Sequence, residues 1–481
     1  MEYDKELLLN YIKEQLREGP ILARENIYQN GKKLKYRSAF LKLKQHADNF
    51  LRGNIYNRFI VMPGLRGVGK TTLIFQLYDY LMNKKGIEAN RILYVSTDQL
   101  TELLNERLHH AIDVFIRDVH KKTPITLDKE LFIFVDEAQY DEKWSQTGKM
   151  LYDQSKKIFM IFSGSSALQL ELNVDAIRRT KKEPLFPLNF QEYLLLKHGI
   201  YPPKSTSKSI RKMIINGEIM EASEKELELI NKLSTLRSPP EKEWEDYLCY
   251  GGFPISIHLN EFDIHRKTYE MIQRIIEKDI NHYRSFRKDT TRVIFRILTF
   301  LALQKPGELS EAKLASKLDV SSSLVNSILD ILEKTHLIFH VDPHGTAGKA
   351  VRKPRKYYFL SPSIKASLNF ILGRYAPEKN EFLGPLAENL VASSFFKMKE
   401  IGILNGILYP ADPGSVDFLL SRADGEIIPV EVGVGRKSKG QLKKAIKRYK
   451  SNYGILVSNR SQIIEKEGNM IQIPLTTFSF I

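Results

Sequence analysis

The sequence of 481 residues contains one cysteine, Cys249, which excludes an internal disulfide bond and a metal site built from several cysteines. It also lacks a long hydrophobic run, since the longest apolar stretch, Val293 to Leu303, is interrupted by Arg296 and is too short to span a bilayer. The N-terminal segment is charged and amphipathic, without the continuous apolar core of a signal peptide. We therefore expect a soluble cytoplasmic protein that does not enter a membrane.

Acidic residues are absent from two windows in the C-terminal third. Residues 343–377 contain seven Lys or Arg and no acid, and residues 432–464 contain nine and no acid. Together these bases equal the net charge of +16, so the rest of the chain is neutral. We therefore expect DNA or another polyanion to contact this third of the chain.

A glycine-rich loop stands between an apolar run and a helical pattern. Residues 64–71 read GLRGVGKT, a complete G-x-x-x-x-G-K-[ST] phosphate loop. Its glycines let the backbone wrap around phosphates, and N–H groups at a helix N-terminus donate to the anion. We expect Lys70 to reach the β- and γ-phosphates of ATP, and Thr71 to bind Mg²⁺. The expected nucleotide-binding residues are Gly64, Arg66, Gly67, Val68, Gly69, Lys70, Thr71 and Thr72.

Apolar strands alternate with amphipathic helices around this loop, which predicts a parallel sheet covered on both faces. The third apolar run ends in Asp136 and Glu137. Asp136 is expected to hold Mg²⁺ through water, and Glu137 to polarise the attacking water. An extra strand, Ile92 to Ser96, comes between the loop strand and the acidic strand along the chain. This order and Glu137 resemble the additional-strand, catalytic-glutamate branch of P-loop ATPases.

Polar residues after the fourth strand are further catalytic candidates. Within the sequence SGSS at 163–166, we predict that Ser165 senses the γ-phosphate or the water. Arg178 and Arg179 are candidates for an arginine finger or a second sensor that stabilises charge on the transferred phosphoryl group. Because arginine fingers often act between subunits, a homo-oligomer is a further expectation.

Additional motifs together resemble one family. They are Arg178-Arg179, EPLFPLNFQEYL at 183–194, YGGFP at 250–254 and EKDI at 277–280. In this order they are similar to the prokaryotic AAA-like ATPases of archaea and bacteria that carry a winged helix and a restriction-endonuclease-like C-terminal domain. The resemblance covers residues 59–457 and implies ATP binding and hydrolysis.

The predicted fold is α/β. A P-loop NTPase domain with a parallel sheet is followed by a helical lid, a winged helix and an α/β restriction-endonuclease-like domain. The expected boundaries are 1–51 for an N-terminal helical extension, 52–200 for the AAA-like P-loop ATPase domain, 201–290 for the helical lid or linker, 291–375 for the winged helix and 376–481 for the restriction-endonuclease-like domain.

Two basic segments are the predicted DNA contacts. The second helix of the winged helix, at 322–334, turns Asp330 and Glu333 outward and is therefore a poor phosphate binder. The basic loop that follows is the better contact, as is a later helix with four bases on one face. The predicted DNA-contacting residues are Lys349, Arg352, Lys353, Arg355, Lys356, Lys443, Lys444, Lys447 and Arg448.

Three acids near the C-terminus suggest a second Mg²⁺ site. Asp417 and Glu431 lie in strand-like runs joined by a hairpin turn signal at 423–425, and Glu388 lies in a helical segment. Converging carboxylates are what a hard cation needs. The arrangement resembles the restriction-endonuclease-like fold.

The same segment departs from that fold's pattern. Gly433 stands where the lysine of a Glu-x-Lys strand is expected, and Lys437 or Lys439 would have to substitute from the next loop. We therefore favour a DNA-binding, catalytically impaired nuclease fold over an active nuclease.

Three hypotheses follow from the sequence. The main one is an ATPase that couples ATP turnover to DNA binding or remodelling through its basic C-terminal segments. The second is a nucleotide-dependent molecular switch that binds protein partners. The third is a Mg²⁺-dependent DNase.

Overall fold

A computed structural model describes residues 4–164, 177–280, 288–305, 307–345, 353–410, 412, 415–435 and 439–481. The chain forms two compact units, Met1–Phe186 and Pro187–Ile481. The N-terminal helix is part of the first unit rather than a separate extension, because Leu8 and Ile12 lie in its hydrophobic core. The predicted boundary at residue 51 stays a prediction.

The predicted boundary at residue 200 also stays a prediction. The segment that begins at Pro187 belongs to the second unit. There the Tyr247 hydroxyl donates to the Leu188 carbonyl at 2.9 Å, and the rings of Phe190 and Tyr247 lie 5.4 Å apart. The predicted boundaries at 290 and 375 stay predictions.

The first unit alternates helices with parallel strands. A two-stranded hairpin, Tyr28–Gln29 with Lys32–Lys33, joins its first two helices. The main elements are α1 (Lys5–Ile27), α2 (Ser38–Leu51), β1 (Phe59–Pro63), α3 (Lys70–Lys85), β2 (Ile92–Ser96), α4 (Leu108–Val114), β3 (Leu131–Asp136), α5 (Trp144–Gln154), β4 (Ile158–Gly164) and β5 (Lys181–Lys182).

The sheet of the first unit has the order β2-β3-β4-β1-β5 among the described strands, and every pair is parallel. The predicted parallel sheet is therefore confirmed. The strand between β1 and β3 is β4, whereas Ile92 to Ser96 forms the edge strand β2. The order along the chain did not reveal this, because a strand that comes later in sequence inserts between two earlier ones. Pairing of Pro63 with Gly164 brings the carboxyl ends of β1 and β4 to one edge.

The second unit contains helices followed by a mixed sheet. Its elements are α6 (Phe190–His198), α7 (Thr206–Asn216), α8 (Met220–Leu233), α9 (Pro240–Tyr250), α10 (Glu261–Arg274), α11 (Lys288–Leu303), β6 (Glu308–Leu309), α12 (Glu311–Leu318), α13 (Ser322–Lys334), β7 (Ile338–Pro343), β8 (Arg355–Phe359), α14 (Pro362–Ile371), α15 (Asn380–Glu400), β9 (Gly406–Tyr409), β10 (Phe418–Ser421), β11 (Ile427–Gly433), α16 (Lys439–Tyr449), β12 (Gly454–Ser458), β13 (Glu465–Glu467), β14 (Met470–Pro474) and α17 (Leu475–Phe478).

The sheet of the second unit has the order β13-β14-β12-β11-β10-β9-β7-β8-β6 within the described residues. Strands β6, β8 and β7 pair antiparallel beside α12 and α13. Strands β9, β10 and β11 form an antiparallel meander, and β12 then pairs parallel with β11. No helix in the described ranges combines the length and apolar character needed to cross a bilayer.

Candidate functional site

The phosphate loop joins the end of β1 to the start of α3, as predicted. A side chain at Gly64 would bring its Cβ to 2.5 Å from the Leu185 carbonyl oxygen, so this position requires glycine. Gly67 and Gly69 have φ angles of +79° and +94°, which side chains other than glycine rarely adopt. The loop therefore depends on all three glycines of the motif.

Lys70 lies against the backbone of this loop. Its side chain is buried, and its ammonium donates to the carbonyls of Gly64 at 2.9 Å and Leu65 at 3.1 Å. Because Lys70 is the first residue of α3, its charge lies at a helix N-terminus. A cation held there suits an anion bound by the loop.

Asp136, at the end of β3, accepts hydrogen bonds from two hydroxyl groups. Thr71 Oγ1 donates to Asp136 Oδ2 at 2.6 Å, and Ser163 Oγ donates to Asp136 Oδ1. Burial raises the pKa of Asp136, as does the neighbouring Glu137 carboxylate, and the two hydroxyls and Lys70 oppose the rise. The structure thus brings together the two residues predicted to hold Mg²⁺, Thr71 and Asp136.

Glu137 adopts a left-handed backbone conformation with φ of +52°, which is uncommon for a residue with a side chain. Its carboxylate accepts from Gln139 Nε2 at 2.5 Å, and Arg66 Nη2 lies 3.9 Å from Glu137 Oε1. Arg66 belongs to the phosphate loop, so the Glu137 carboxylate lies beside that loop. The predicted catalytic glutamate is therefore near the predicted phosphate-binding residues.

Ser163 is a site residue that sequence reasoning missed. It belongs to the same polar sequence, SGSS at 163–166, as the predicted sensor Ser165, which falls outside the described residues. The register of β4 pairs Ser163 with Met62 of β1, one residue before the strand end, and Ser163 is fully buried against Asp136. One signal in the sequence could have identified Ser163. It is a polar residue near the end of an apolar strand, and the carboxyl end of that strand lies at the same sheet edge as Asp136 and Glu137.

Arg178 and Arg179 are not brought to the phosphate loop of their own chain. They precede β5, whose Lys181 pairs with Ile60 of β1, so they lie toward the amino end of the sheet. The loop leaves the carboxyl end. Arg179 forms an ion pair with Asp153 of α5 at 2.6 Å, and Arg178 is exposed. Their roles as an arginine finger or a second sensor stay predictions.

The three acids predicted as a second Mg²⁺ site form other contacts. Asp417 directly precedes β10, whose first residue Phe418 pairs with Val430, the neighbour of Glu431 in β11. However, Asp417 Oδ2 accepts from the Val432 N–H at 2.8 Å, and Glu388 accepts from the Tyr358 hydroxyl at 2.8 Å.

Within the described residues, no group of three or more His, Cys, Asp or Glu is arranged to hold a metal ion. The Mg²⁺ site predicted from Glu388, Asp417 and Glu431 stays a prediction, and two of its carboxylates accept protein hydrogen bonds. Gly433 is the last residue of β11, Lys437 falls outside the described residues, and Lys439 pairs with Glu467 at 2.5 Å.

The predicted basic helix face is present on α16. Its apolar residues Leu442, Ala445 and Ile446 are buried. The opposite face exposes Lys443, Lys444, Lys447 and Arg448. Of these, Arg448 forms an ion pair with Asp412 at 2.5 Å, so the three lysines carry most of the net charge of this face.

The basic loop between β7 and β8 is described in part. Lys349 and Arg352 fall outside the described residues. Lys353 is exposed, Arg355 pairs with Asp342 at 3.3 Å, and the Lys356 ammonium lies 4.9 Å from the centre of the Tyr409 ring.

Comparisons with known proteins agree with the geometry of the first unit. Residues 56–194 match a family described as an AAA domain, and residues 241–374 match a domain of unknown function. The uncharacterized protein MJ1637 of Methanocaldococcus jannaschii is 32% identical over 474 residues, which are 98% of this chain and 93% of that protein. MJ1544 of the same organism is 24% identical over 390 residues, or 78% of this chain and 75% of that protein.

A solved structure also matches. The Walker-type ATPase PABY2304 of Pyrococcus abyssi is 15% identical, with a TM-score of 0.41, and the match covers 71% of this chain and 97% of that one. The chain belongs to the family of MJ1637, and its residues 56–194 form an AAA domain that contains the phosphate loop.

Proposed function

We propose that this protein binds ATP with Mg²⁺, hydrolyses it to ADP and phosphate, and contacts DNA through its second unit. The observation that carries hydrolysis is the hydrogen bond from Thr71 to Asp136, with Glu137 next in the chain. It puts a hydroxyl and a carboxylate suited to Mg²⁺ beside a second carboxylate suited to water.

The residues of the loop fit a nucleotide. Gly64 leaves no room for a Cβ, and the left-handed Gly67 and Gly69 give the curved backbone whose N–H groups bind phosphates. Lys70 would hold the β- and γ-phosphates, and Thr71 and Asp136 would hold the metal. Bound Mg²⁺ supplies neutralisation of phosphate charge.

Glu137 carries the chemical step in this proposal. It orients a water molecule and accepts its proton while the water oxygen bonds to the γ-phosphorus and the bond to the β–γ bridging oxygen breaks. The 3.9 Å approach of Arg66 Nη2 to Glu137 Oε1 supports this role, because it ties the carboxylate to the loop that binds the phosphates.

We further propose that a second copy of the chain supplies the arginine finger. The exposed Arg178 lies toward the sheet edge opposite its own phosphate loop, which supports a role in a neighbouring copy rather than in its own site. Mixing a Lys70→Ala chain with an Arg178→Ala, Arg179→Ala chain tests this arrangement. Each has low turnover alone, and the mixture should recover activity because one intact site forms between the chains. A mixture that stays as inactive as its components contradicts it.

The second unit is proposed to bind DNA phosphates. Three helices, α11, α12 and α13, are followed by the strands β7 and β8, which supports the predicted winged helix, and the nuclease-like core stays a prediction. The three exposed lysines of α16, Lys443, Lys444 and Lys447, support contact with a polyanion because they lie on one face within two helical turns.

ATPase rates test the two halves of the proposal together. Turnover of the full chain is measured without DNA and with single-stranded, double-stranded and branched DNA at low and high salt. We expect at least one DNA to raise the rate at low salt, and Lys70→Ala to abolish nucleotide binding with and without DNA. If the wild type hydrolyses ATP but no DNA binds or stimulates it, the DNA half is wrong and a protein-binding switch is favoured.

A further inference from the structure

Arg37 lies outside every motif of the nucleotide site, in the N-terminal segment that precedes α2. Its side chain is buried and contacts two backbone carbonyls of the first unit. Arg37 Nη1 donates to the Val68 carbonyl at 2.5 Å, and Nη2 donates to the Phe186 carbonyl at 3.0 Å. One guanidinium therefore joins the middle of the phosphate loop to the segment that follows β5.

The contact with Val68 fixes the orientation of a peptide plane. In a trans peptide the C=O and the following N–H point in opposite directions. When the Val68 carbonyl points to Arg37, the N–H of Gly69 must therefore point away from Arg37. Backbone N–H groups of a phosphate loop are the donors that bind the nucleotide phosphates.

That plane would otherwise be easy to rotate. Gly69 has a φ of +94°, and glycine adopts positive and negative φ with similar ease. The Lys70 ammonium donates to the Gly64 and Leu65 carbonyls, so its hydrogen bonds restrain the start of the loop. Arg37 restrains the Val68–Gly69 peptide, where the backbone is most permissive.

Arg37 is itself held in place along α3. The hairpin before it is tied to this helix by the Lys33–Asp79 ion pair at 2.5 Å, and Gln76 Nε2 donates to the Lys35 carbonyl at 3.3 Å. These contacts follow the helix toward its N-terminus, where the phosphate loop ends. The N-terminal segment thus brings a fixed cation to the back of the loop.

The second carbonyl that Arg37 contacts lies on the other side of the loop. Phe186 follows Leu185, whose carbonyl oxygen would lie only 2.5 Å from a Cβ on Gly64. The Leu185 N–H donates to the Pro63 carbonyl at 2.8 Å. Arg37 therefore restrains the loop both directly at Val68 and through the segment packed on Gly64.

We infer that Arg37 is a positioning residue of the nucleotide site, which keeps the Gly69 N–H turned toward the diphosphate group shared by ADP and ATP. The inference rests on the proposed nucleotide binding. It gives the N-terminal segment a role in substrate affinity rather than in the chemical step, because Arg37 acts on the orientation of a phosphate donor.

The test compares Kd values for Mg-ADP and Mg-ATP, by calorimetry on the full chain, with kcat at saturating ATP. In Arg37→Ala we expect both Kd values to rise about tenfold, because the loss of one charge-assisted hydrogen bond changes an affinity by about this factor. The KM for ATP should rise with them, while kcat changes less than about twofold. Arg37→Lys, which keeps the charge and one donor, should fall between Ala and wild type.

Arg52→Ala is the matched control, since Arg52 is an exposed arginine at the other end of α2 and should leave both Kd values at the wild-type level. Where Arg37→Ala does not fold, Arg37→Gln carries the same expectation at about threefold. A folded Ala or Gln variant with wild-type Kd values overturns the inference, as does a fall in kcat without a change in Kd. A wild type that binds neither nucleotide instead overturns the proposed function.

Discussion

The Thr71 hydroxyl donates to the Asp136 carboxylate across 2.6 Å and so joins the start of α3 to the end of β3. This contact links two residues that lie 65 positions apart. The two residues predicted to bind Mg²⁺ therefore belong to one site. Neither residue can be changed without altering the surroundings of the other.

Thr71→Ala should lower kcat/KM for Mg-ATP by about 10- to 100-fold, because the hydroxyl is lost both to the metal and to Asp136. Thr71→Ser keeps the hydroxyl and should stay within about threefold of the wild type. Steady-state ATPase assays over a range of Mg²⁺ concentrations measure both variants. Equal rates for the Ala and Ser variants would show that the hydroxyl has no part in the reaction.

Gly64→Ala should weaken nucleotide binding and lower the melting temperature. The new Cβ would lie 2.5 Å from the Leu185 carbonyl oxygen, a backbone atom, so the loop or the neighbouring segment must shift at a cost of about 1–3 kcal/mol. Gly384→Ala is the control, since a Cβ there meets nothing within 4 Å in the helix α15, where alanine is the better helix former. Thermal unfolding and ATP binding of both variants check the prediction. Unchanged melting and binding in the Gly64→Ala variant would contradict it.

Replacing Lys443, Lys444 and Lys447 with alanine should weaken DNA binding most at low salt. Each lost phosphate contact lowers the slope of log K against log salt by about 1, so the slope should fall by about 2–3. The control replaces three exposed lysines of the first unit, Lys84, Lys129 and Lys156. Fluorescence anisotropy with labelled DNA at several salt concentrations measures the slopes. Equal losses in both triple variants would mean that net charge alone matters.

His340 should stabilise the second unit at neutral pH and lose this effect in alkali. Burial disfavours its charge, but hydrogen bonds to Asp342 and Glu333 outweigh burial and raise the pKa of His340 to about 9. Because the folded pKa lies above the ordinary value of about 6.5, the stabilisation is complete below pH 6.5 and disappears as the pH rises through 9.

Urea unfolding of the wild type and His340→Gln at pH 6 and pH 9.5 measures this effect. The difference between the two chains should be on the order of 1–2 kcal/mol at pH 6 and smaller at pH 9.5. Arg355, which pairs with Asp342 at 3.3 Å, stays charged in both conditions, and Lys399 also acts on the Asp342 carboxylate. If the difference in the free energy of unfolding between the wild type and His340→Gln grows with pH, the charged form of His340 does not stabilise the fold and the prediction is wrong.

Local sequence was sufficient for the parts of the site that lie within one motif. The loop from Gly64 to Thr71 and the acids Asp136 and Glu137 are each encoded in a few consecutive residues that chemistry constrains tightly. The alternation of apolar strands and helices likewise predicted the parallel sheet of the first unit. The hairpin register that pairs Phe418 with Val430 also follows from two strand-like runs and a turn.

Contacts between distant segments were not predictable from these patterns. Arg37 contacts Val68 because the N-terminal hairpin follows α3, and no local motif marks it. Ser163 reaches Asp136 because β4 inserts between β1 and β3. The same kind of information gives the contacts of two other predicted residues. Arg179 pairs with Asp153, and Asp417 is used by a backbone N–H, although both look available in the sequence.

The central claim is that Glu137 activates the water that attacks ATP. Single-turnover hydrolysis and ATP binding by Glu137→Gln test it most directly, with Glu142→Gln, an exposed glutamate five residues later, as the control. Since a positioned general base contributes about 10²- to 10⁴-fold, we predict at least a 100-fold slower hydrolysis with ATP affinity within about threefold of the wild type. Hydrolysis by a folded Glu137→Gln chain at the wild-type rate would contradict the account.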